Sequence, residues 1–323
     1  MHPSLVILSF AGVAVMRVVQ KICSKKVSNA VAGKESFRYG GYYQLLSTLF
    51  SLITLLIVGF QGFNWQTALC ALGTSLFLAI ELFTGIEALK GCSLIVSQMF
   101  SVGALFIPCI FGIFLFDEPM GVWQWVGLVI FMVAMYFMVS QPKAKDETTP
   151  KKMSLKTWIM LIVGLLASGG TMVVQKVFSV LVPSGNTAMY SCLMFAFSAL
   201  LLYLTYFIWF FIEKSQKKKA EIENAEPENV RFEVAGEKKK WRPMPKILLI
   251  CGAFLAFAVF VVNMLVTELG KTVASAVLFS VSYAISIIIT ILVGALYYKE
   301  KITWKNIVGI LLCVGSIAMI NFL

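Results

Sequence analysis

The sequence contains little charge and almost no histidine. Charged residues make up 13% of the 323 positions, whereas soluble globular domains carry about 25%. The one histidine is His2, so the apolar body of the chain has no imidazole for acid–base catalysis or metal binding. The GxxxxGK(S/T) pattern that binds nucleotide phosphates is also absent. These features argue against a soluble enzyme and against a pump driven by ATP.

Cysteine is present but has no spacing typical of a site. The seven cysteines are an odd number, lie in or beside apolar segments, and include no CxxC pair. We interpret them as small apolar side chains. The sequence therefore indicates no disulfide framework, no metal site and no cofactor.

Long hydrophobic runs dominate the chain, which is 59% hydrophobic. A run of about 20 apolar residues is long enough to cross a bilayer as a helix. The sequence therefore predicts an all-α polytopic membrane protein with ten transmembrane helices. The predicted spans are residues 4–22, 42–60, 67–89, 94–115, 122–140, 157–176, 187–212, 247–268, 274–297 and 304–322.

Lys and Arg are concentrated in alternate loops. The loops at 141–156 and 213–246 are rich in both residues, as is the first loop, whereas the intervening loops are nearly without charge. Cytoplasmic loops of membrane proteins carry such an excess of basic residues. We therefore expect 141–156 and 213–246 in the cytoplasm and both termini outside. This placement, rather than binding to nucleic acid, accounts for the net charge of +11.

Several motifs occur twice in the same order. VVQK begins at Val18 and again at Val173. EPMGVWQWVGL begins at Glu118, and EKITWKNIVGI begins at Glu300. The repeat also aligns two further pairs, Glu87 with Glu268 and Lys90 with Lys271.

The repeats divide the chain into two halves of five spans each. The first half is 1–140, the linker is 141–156, and the second half is 157–323 with the charged loop 213–246. Because five is odd, the second half enters the membrane from the opposite side. The predicted architecture is therefore two inverted five-helix repeats, which are common among secondary transporters.

With these motifs the chain resembles the drug/metabolite transporter superfamily, specifically its ten-helix EamA-type members. The resemblance rests on Glu118–Gly127 and Glu300–Gly309, which open the fifth and tenth spans. It covers nearly the whole chain except 213–246. It implies a central cavity lined by the first, third, fourth, sixth, eighth and ninth spans, with the fifth and tenth spans at the periphery.

The last span also looks like the final helix of the small multidrug resistance proteins, but the sequence departs from that branch. Those proteins carry a glutamate in the first helix about two turns before a lysine. Here Val13 precedes Lys21 at that distance, and Ser168 precedes Lys176. Proton-coupled efflux through that acid is therefore not expected. Ten-helix members also commonly keep their termini in the cytoplasm, opposite to the orientation that the basic loops predict here.

Glu81 is an ionisable residue deep in the third span, where charge is costly and often functional. The repeat places Asn263 at the equivalent position of the eighth span. Glu81 either binds a cationic group or a coupling proton, or it is the buried structural partner of a base. Arg17 is the candidate base, unless it extends to the cytoplasmic boundary beside Lys21.

Other polar residues in the spans are candidates for the wall of a cavity. Pro108 is expected to kink the fourth span and free a carbonyl there. Each polar residue is equally consistent with a hydrogen bond between helices. The candidates are Gln20, Gln98, Ser101, Gln175, Tyr283 and Ser286.

The leading hypothesis is a secondary active transporter that moves a small organic solute across the plasma membrane by alternating access. A proton or counter-solute gradient supplies the energy in this hypothesis. One central acid favours a neutral or cationic substrate. The alternatives are a membrane-embedded enzyme and a non-transporting receptor or scaffold. The lipid bilayer is the other expected partner.

Overall fold

The structure is a computed structural model of the chain. It describes residues 3–28, 30–31, 33–60, 63–92, 94–116, 121–139, 153–223, 244–274 and 303–322, with 277–279, 281–282, 286, 289, 293 and 296. The described residues form helices joined by short connections. The helices are α1 (Pro3–Ser28), α2 (Lys34–Val58), α3 (Trp65–Gly91), α4 (Leu94–Gly103), α5 (Phe106–Phe116), α6 (Val122–Val139), α7 (Leu155–Leu181), α8 (Thr187–Glu223), α9 (Lys246–Gly270) and α10 (Trp304–Phe322).

Seven stretches of the described chain are helical, long and apolar enough to cross a bilayer. They lie in α1, α2, α3, α7, α8 and α9, and across α4 and α5 together. Shorter apolar helical stretches occur in α6 and α10. The predicted span 274–297 falls mostly outside the described residues. The all-helical, polytopic class is supported, and the number of ten spans stays a prediction.

Pro108 divides the predicted fourth span into two helices. Its ring crowds the carbonyl four residues earlier, which belongs to Ala104, and it has no N–H to donate to that carbonyl. The Ala104 carbonyl instead accepts a hydrogen bond from Ile107 at 3.2 Å, which closes a tighter turn. The chain therefore breaks between α4 and α5.

The seventh predicted span ends later than its hydrophobicity indicated. The sequence placed its end at 212, whereas α8 continues to Glu223. Glu213, in the first charged turn, forms an ion pair with Lys34 of α2. This contact fixes the beginning of the charged segment against the first half.

Large apolar side chains cover the outer faces of the helices. On α2, Leu56 is 76% exposed and Ile57 is 80% exposed. Contiguous apolar surface of this kind aggregates in water. The outer faces are therefore suited to contact with lipid, and polar side chains are left to the interior.

α2 and α8 pack together in opposite directions. Lys34 at the start of α2 contacts Glu213, late in α8. At the other end, Asn186, just before α8, donates a hydrogen bond to the carbonyl of Gly59, just after α2, at 2.9 Å. The two helices are therefore antiparallel, as expected if they are equivalent members of the predicted inverted repeat.

α3 and α7 are also antiparallel and approach closely through glycine. Gly91 at the end of α3 faces Thr157 at the start of α7, and Phe77 faces Gly170. A Cβ atom on Gly170 would lie 2.6 Å from the Phe77 ring, so a larger residue does not fit there. Similarly, α1 packs on α9, and α6 packs on α10. When the two predicted halves are exchanged, the contact of α3 with α7 corresponds to the contact of α9 with α1.

Candidate functional site

A cavity lies among α1, α3, α4, α7 and α9, with Tyr43 contributed by α2. Its volume is about 170 Å³, more than ten times the roughly 10–15 Å³ that a single buried water needs. Both halves of the chain form its wall, which mixes aliphatic side chains with amides, hydroxyls and charged groups. Apolar walls with a few polar groups are typical of sites for small organic molecules.

The structure brings most of the predicted site residues to this cavity. Ser286 is not among its described lining residues; its hydroxyl donates to the carbonyl of Ser282 at 2.7 Å, within its own segment. Tyr283 lies outside the described residues. The predicted residues in the wall are Arg17, Gln20, Glu81, Gln98, Ser101, Gln175 and Asn263.

Three charged residues face the cavity together. Lys21 donates a hydrogen bond from Nζ to Oγ of Ser101 at 2.7 Å. Glu81 lies close enough to Lys21 and Arg17 for both positive charges to act on its carboxyl group. Arg17 therefore contributes to the wall near Glu81, which favours its interpretation as a partner of the acid over extension to the bilayer boundary.

Hydroxyl groups of α7 complete the surroundings of Glu81. Ser168 and Thr171 lie near its carboxyl group, and both line the cavity. Ser168 occupies the position in the second half where the small multidrug resistance pattern has an acid. The acid of this cavity therefore comes from α3, and the face of α7 that lines the cavity supplies hydroxyls.

Two amides join the second-half helices beside the cavity. Gln175 of α7 donates from Nε2 to Oδ1 of Asn263 in α9 at 2.5 Å. Asn263 donates from Nδ2 to the Val259 carbonyl at 2.8 Å. Asn263 is thus held in one orientation, with its oxygen used by a partner.

Gln98 presents an unsatisfied acceptor. Its side chain is 1% exposed and lines the cavity. The Oε1 atom has no hydrogen-bond partner among the described residues. A buried amide oxygen without a partner costs roughly 1–3 kcal/mol, so a donor from a bound molecule or water is expected there.

Sequence reasoning missed Lys21, Ser168 and Thr171. Lys21 ends an apolar segment, where a lysine ordinarily extends to the interface. Hydroxyls in apolar helices commonly bond to their own backbone, as Thr171 does to the Ala167 carbonyl at 3.1 Å. The available signal was the repeated VVQK, which aligns Lys21 with Lys176 in the predicted repeat.

Beyond the cavity, polar and charged residues gather around Glu87 at one end of the bundle, and we call them the Glu87 cluster. Oε1 of Glu87 accepts hydrogen bonds from the Gly33 N–H and the Ser36 hydroxyl, both at 3.3 Å, and from Lys90. Oε2 accepts from Lys156 at 3.3 Å. Because Lys156 belongs to α7, this cluster joins the two halves.

A second cluster, the Glu268 cluster, surrounds the repeat-equivalent acid at the end of α9. The Glu268 carboxylate accepts a hydrogen bond from the Thr187 hydroxyl at 2.6 Å and pairs with Lys271 at 2.9 Å. Lys271 also donates to the Gly185 carbonyl at 3.0 Å. The acid, the lysine three residues later and the hydroxyl near the start of the neighbouring helix are common to both clusters.

The two clusters lie at opposite ends of the bundle. Ser36, in the Glu87 cluster, is at the start of α2. Thr187, in the Glu268 cluster, follows Asn186, which bonds to Gly59 at the other end of α2. A helix of 25 residues spans about 37 Å, so the clusters are separated by roughly the thickness of a membrane.

Lysine side chains cap the helices that carry these acids. Lys25 donates to the Leu89 carbonyl at 3.1 Å, and Lys176 donates to the Gly270 carbonyl at 3.2 Å. A cation at a helix C-terminus satisfies the last carbonyls and stabilises the negative end of the dipole. The cap in the second half uses Lys176, whereas its repeat equivalent Lys21 faces the cavity.

The described residues thus form a bundle of apolar helices around a polar cavity, an arrangement suited to a membrane transporter. The model of the EamA-like transporter family matches residues 155–322, more than half of the chain. The chain belongs to that family and is a multi-pass membrane transport protein. The resemblance to the drug/metabolite transporter superfamily is thereby confirmed.

The comparison with solved structures shows a similarity of fold alone. A solved structure described only as "Crystal structure of protein" superimposes with a TM-score of 0.63 at 12% identity. The superposition covers 98% of this chain and 96% of the other. No protein with a curated function matches.

Proposed function

We propose that this protein is a secondary active transporter that carries a small organic solute across the plasma membrane by alternating access. The cavity formed by both halves, placed between two equivalent clusters at opposite ends, is the observation that carries this proposal. Family membership supports transport, and the cavity supports a solute of small size. The absence of a nucleotide-binding motif from the sequence favours an ion or solute gradient as the energy source.

The proposed architecture is two inverted five-helix repeats, 1–140 and 157–323. The antiparallel arrangement of α2 and α8 supports it, because equivalent helices of inverted repeats point in opposite directions. The exchange-related contacts of α3 with α7 and α1 with α9 support it further. Such repeats give a transporter two alternative states of comparable energy.

In this mechanism the Glu87 cluster and the Glu268 cluster hold the two ends of the bundle in turn. Release of the Glu87 cluster separates α3 from the start of α7, since Lys156 bridges them. The equivalent movement at the other end releases α9 from Thr187 at the start of α8. A solute in the cavity is then exposed to one side at a time.

Glu81 is proposed as the residue that couples transport to a proton or to the charge of the solute. It is the acid of the described cavity wall and lies near Lys21 and Arg17. Gln20, Gln98, Ser101, Gln175 and Asn263 are proposed to contact the solute, and Tyr283 and Ser286 remain proposals from sequence.

The basic loops support an orientation with 141–156, 213–246 and the Glu87 cluster at the cytoplasmic face. Lys34, Lys90 and Lys156 all lie near that cluster, which concentrates positive charge at one end. The Glu268 cluster and both termini then lie at the outer face.

Uptake into proteoliposomes tests the function. Vesicles containing the purified full chain are incubated with a mixture of labelled organic acids, amino acids, amines and sugars, and their contents are measured by mass spectrometry. We expect at least one solute to enter faster than into protein-free vesicles, and Glu81→Gln to slow that entry. Lys305→Gln, an exposed charge change on α10, is the matched control. Equal contents with and without protein for every solute would contradict the proposal.

A further inference from the structure

We propose that the cavity binds the carboxylate of a small organic acid through Lys21 and Arg17. The inference rests on the transport function proposed above and names the chemical class of its substrate. It differs from the sequence-based expectation of a neutral or cationic solute, which considered Glu81 without Lys21.

The charges of the described cavity wall do not cancel. Lys21 and Arg17 are two basic side chains and Glu81 is one acid, so the described wall has one base more than it has acids. A buried excess charge is costly unless a counter-charge accompanies it. An anionic group on the solute supplies that counter-charge.

Other acids and bases within the bundle are used elsewhere. Lys176 donates to the Gly270 and Val273 carbonyls at 3.2 and 2.9 Å. Glu87 is paired with Lys90 and Lys156 in its own cluster. The segment 274–297 contains no Asp, Glu, Lys or Arg, so it adds no charge to the cavity.

Lys21 is oriented by a neutral partner. Its Nζ donates to the Ser101 hydroxyl at 2.7 Å, and no carboxylate of the described residues lies within ion-pair distance of that nitrogen. An ammonium group has three donors, so it retains donors after the bond to Ser101. The hydroxyl therefore positions the cation and leaves it able to bind an oxygen of a solute.

The acceptor on Gln98 indicates a second feature of the solute. Its buried Oε1 has no described partner and lines the same cavity as Lys21 and Ser101. Gln98 and Ser101 lie three residues apart on α4, a spacing that puts their side chains on one face. A carboxylate at Lys21 together with a hydroxyl or ammonium donor at Gln98 fits this face, as in a hydroxy acid or an amino acid.

Binding of matched acids and amides to the purified full chain tests the proposal. The probes are lactate and lactamide, alanine and alaninamide, and phenylalanine and phenylalaninamide, each added at millimolar concentration during thermal unfolding. The carboxylate of at least one pair is expected to raise the unfolding temperature, and its amide is not. The hydroxy acid and the amino acids separate the two possible sources of the donor.

Variants then locate the binding site. Lys21→Gln and Arg17→Gln are each expected to weaken the apparent affinity for that carboxylate about tenfold or more. Lys21→Arg, which keeps the charge, is expected to retain binding better than Lys21→Gln, and Lys305→Gln is expected to leave it unchanged. If a neutralised variant does not fold, the preference of the wild type for acid over amide still decides the question.

Two outcomes would overturn the inference. In one, amides stabilise the protein as well as the acids do, or no acid stabilises it. In the other, binding of an acid is the same in Lys21→Gln, Arg17→Gln and wild type. Neither outcome contradicts the proposed transport function. The uptake measurement tests that function separately, because a neutral or cationic solute can still enter the vesicles.

Discussion

Gln175 and Asn263 are joined by a hydrogen bond of 2.5 Å between α7 and α9, in the wall of the cavity. Both side chains are buried, at 4% and 8% exposure. The predicted repeat aligns them with Gln20 and Glu81, so on that alignment the two halves use different chemistry at matching positions. The second half provides an uncharged, preformed contact, and the first half provides the acid.

The first prediction concerns this amide pair. Gln175→Ala and Asn263→Ala each remove one partner, and the pair is expected to show a coupling of about 0.6–1.7 kcal/mol, the range of hydrogen bonds between membrane helices. Unfolding by SDS titration of both single variants and the double variant measures the coupling free energy. Ser286→Ala is the control, since its hydroxyl bonds within its own segment. Strictly additive losses would show that the bond contributes nothing.

The cavity residues that sequence reasoning found share one property. Glu81 and Asn263 are conspicuous because side chains of this polarity are costly inside an apolar helix, and the repeat linked their positions. Lys21 was missed because a basic residue at a span end has an ordinary explanation at the interface. Its direction depends on Ser101 of α4, a tertiary contact that no local pattern reveals.

Part of the fold, like part of the cavity wall, was predictable from the sequence. Apolar runs predicted the helices of the described chain, and Pro108 predicted a kink where α4 ends and α5 begins. The division into two halves stays a prediction. The end of α8 was not predictable from hydrophobicity, because helical backbone bonds and the Glu213–Lys34 pair extend the helix into charged sequence. The span at 274–297 and the total of ten spans stay predictions.

The second prediction concerns charge balance. Glu81→Gln leaves Lys21 and Arg17 without the nearby acid, whereas Lys21→Gln leaves Glu81 with one base fewer. The double variant restores the net charge of the wild-type cavity. It is therefore expected to lose less stability than the sum of the two single changes, by about 1 kcal/mol or more. SDS unfolding of the four proteins measures this difference.

The control for that cycle is Glu81→Gln combined with Lys305→Gln. Lys305 is exposed on α10 and is not part of the described cavity wall. Its effect should add to that of Glu81→Gln. If Glu81→Gln coupled equally to Lys21→Gln and to Lys305→Gln, the coupling would not be specific to the charges of the cavity.

The third prediction concerns close packing at α7. A Cβ atom on Gly169 would lie 2.3 Å from the side chain of Ile107 and 2.6 Å from its branch carbon, so Gly169→Ala forces a displacement. We expect a loss of roughly 1–3 kcal/mol in the free energy of unfolding. Gly315→Ala on α10 meets nothing within 4 Å and is expected to cause no such loss. Comparable losses in both variants would contradict the close approach of α5 to α7.

The fourth prediction compares the bonds within the Glu87 cluster. The Glu87 side chain is 5% exposed, whereas Lys156 is 69% exposed. Glu87→Gln removes the buried negative charge that Lys90 and Lys156 contact and replaces one acceptor oxygen by an NH2 donor, whereas removing an exposed lysine loses a weak, solvent-screened contact. Glu87→Gln is therefore expected to destabilise the protein more than Lys156→Gln does, as measured by thermal unfolding. The reverse order would exclude Glu87 as the centre of this cluster.

Alternating access requires that one cavity residue be reachable from both faces of the membrane. Ser24 lines the cavity and is close in size to cysteine, so Ser24→Cys is suitable in a background without the seven native cysteines. The measurement is its rate of reaction with a membrane-impermeant maleimide in right-side-out and in inside-out vesicles.

Ser24→Cys is expected to react from both faces. Glu87→Gln is expected to raise the rate from the cytoplasmic face, and Glu268→Gln the rate from the outer face, each by about threefold to tenfold, equivalent to roughly 0.7–1.4 kcal/mol. Reaction from one face only, unchanged by either variant, would contradict alternating access through this cavity.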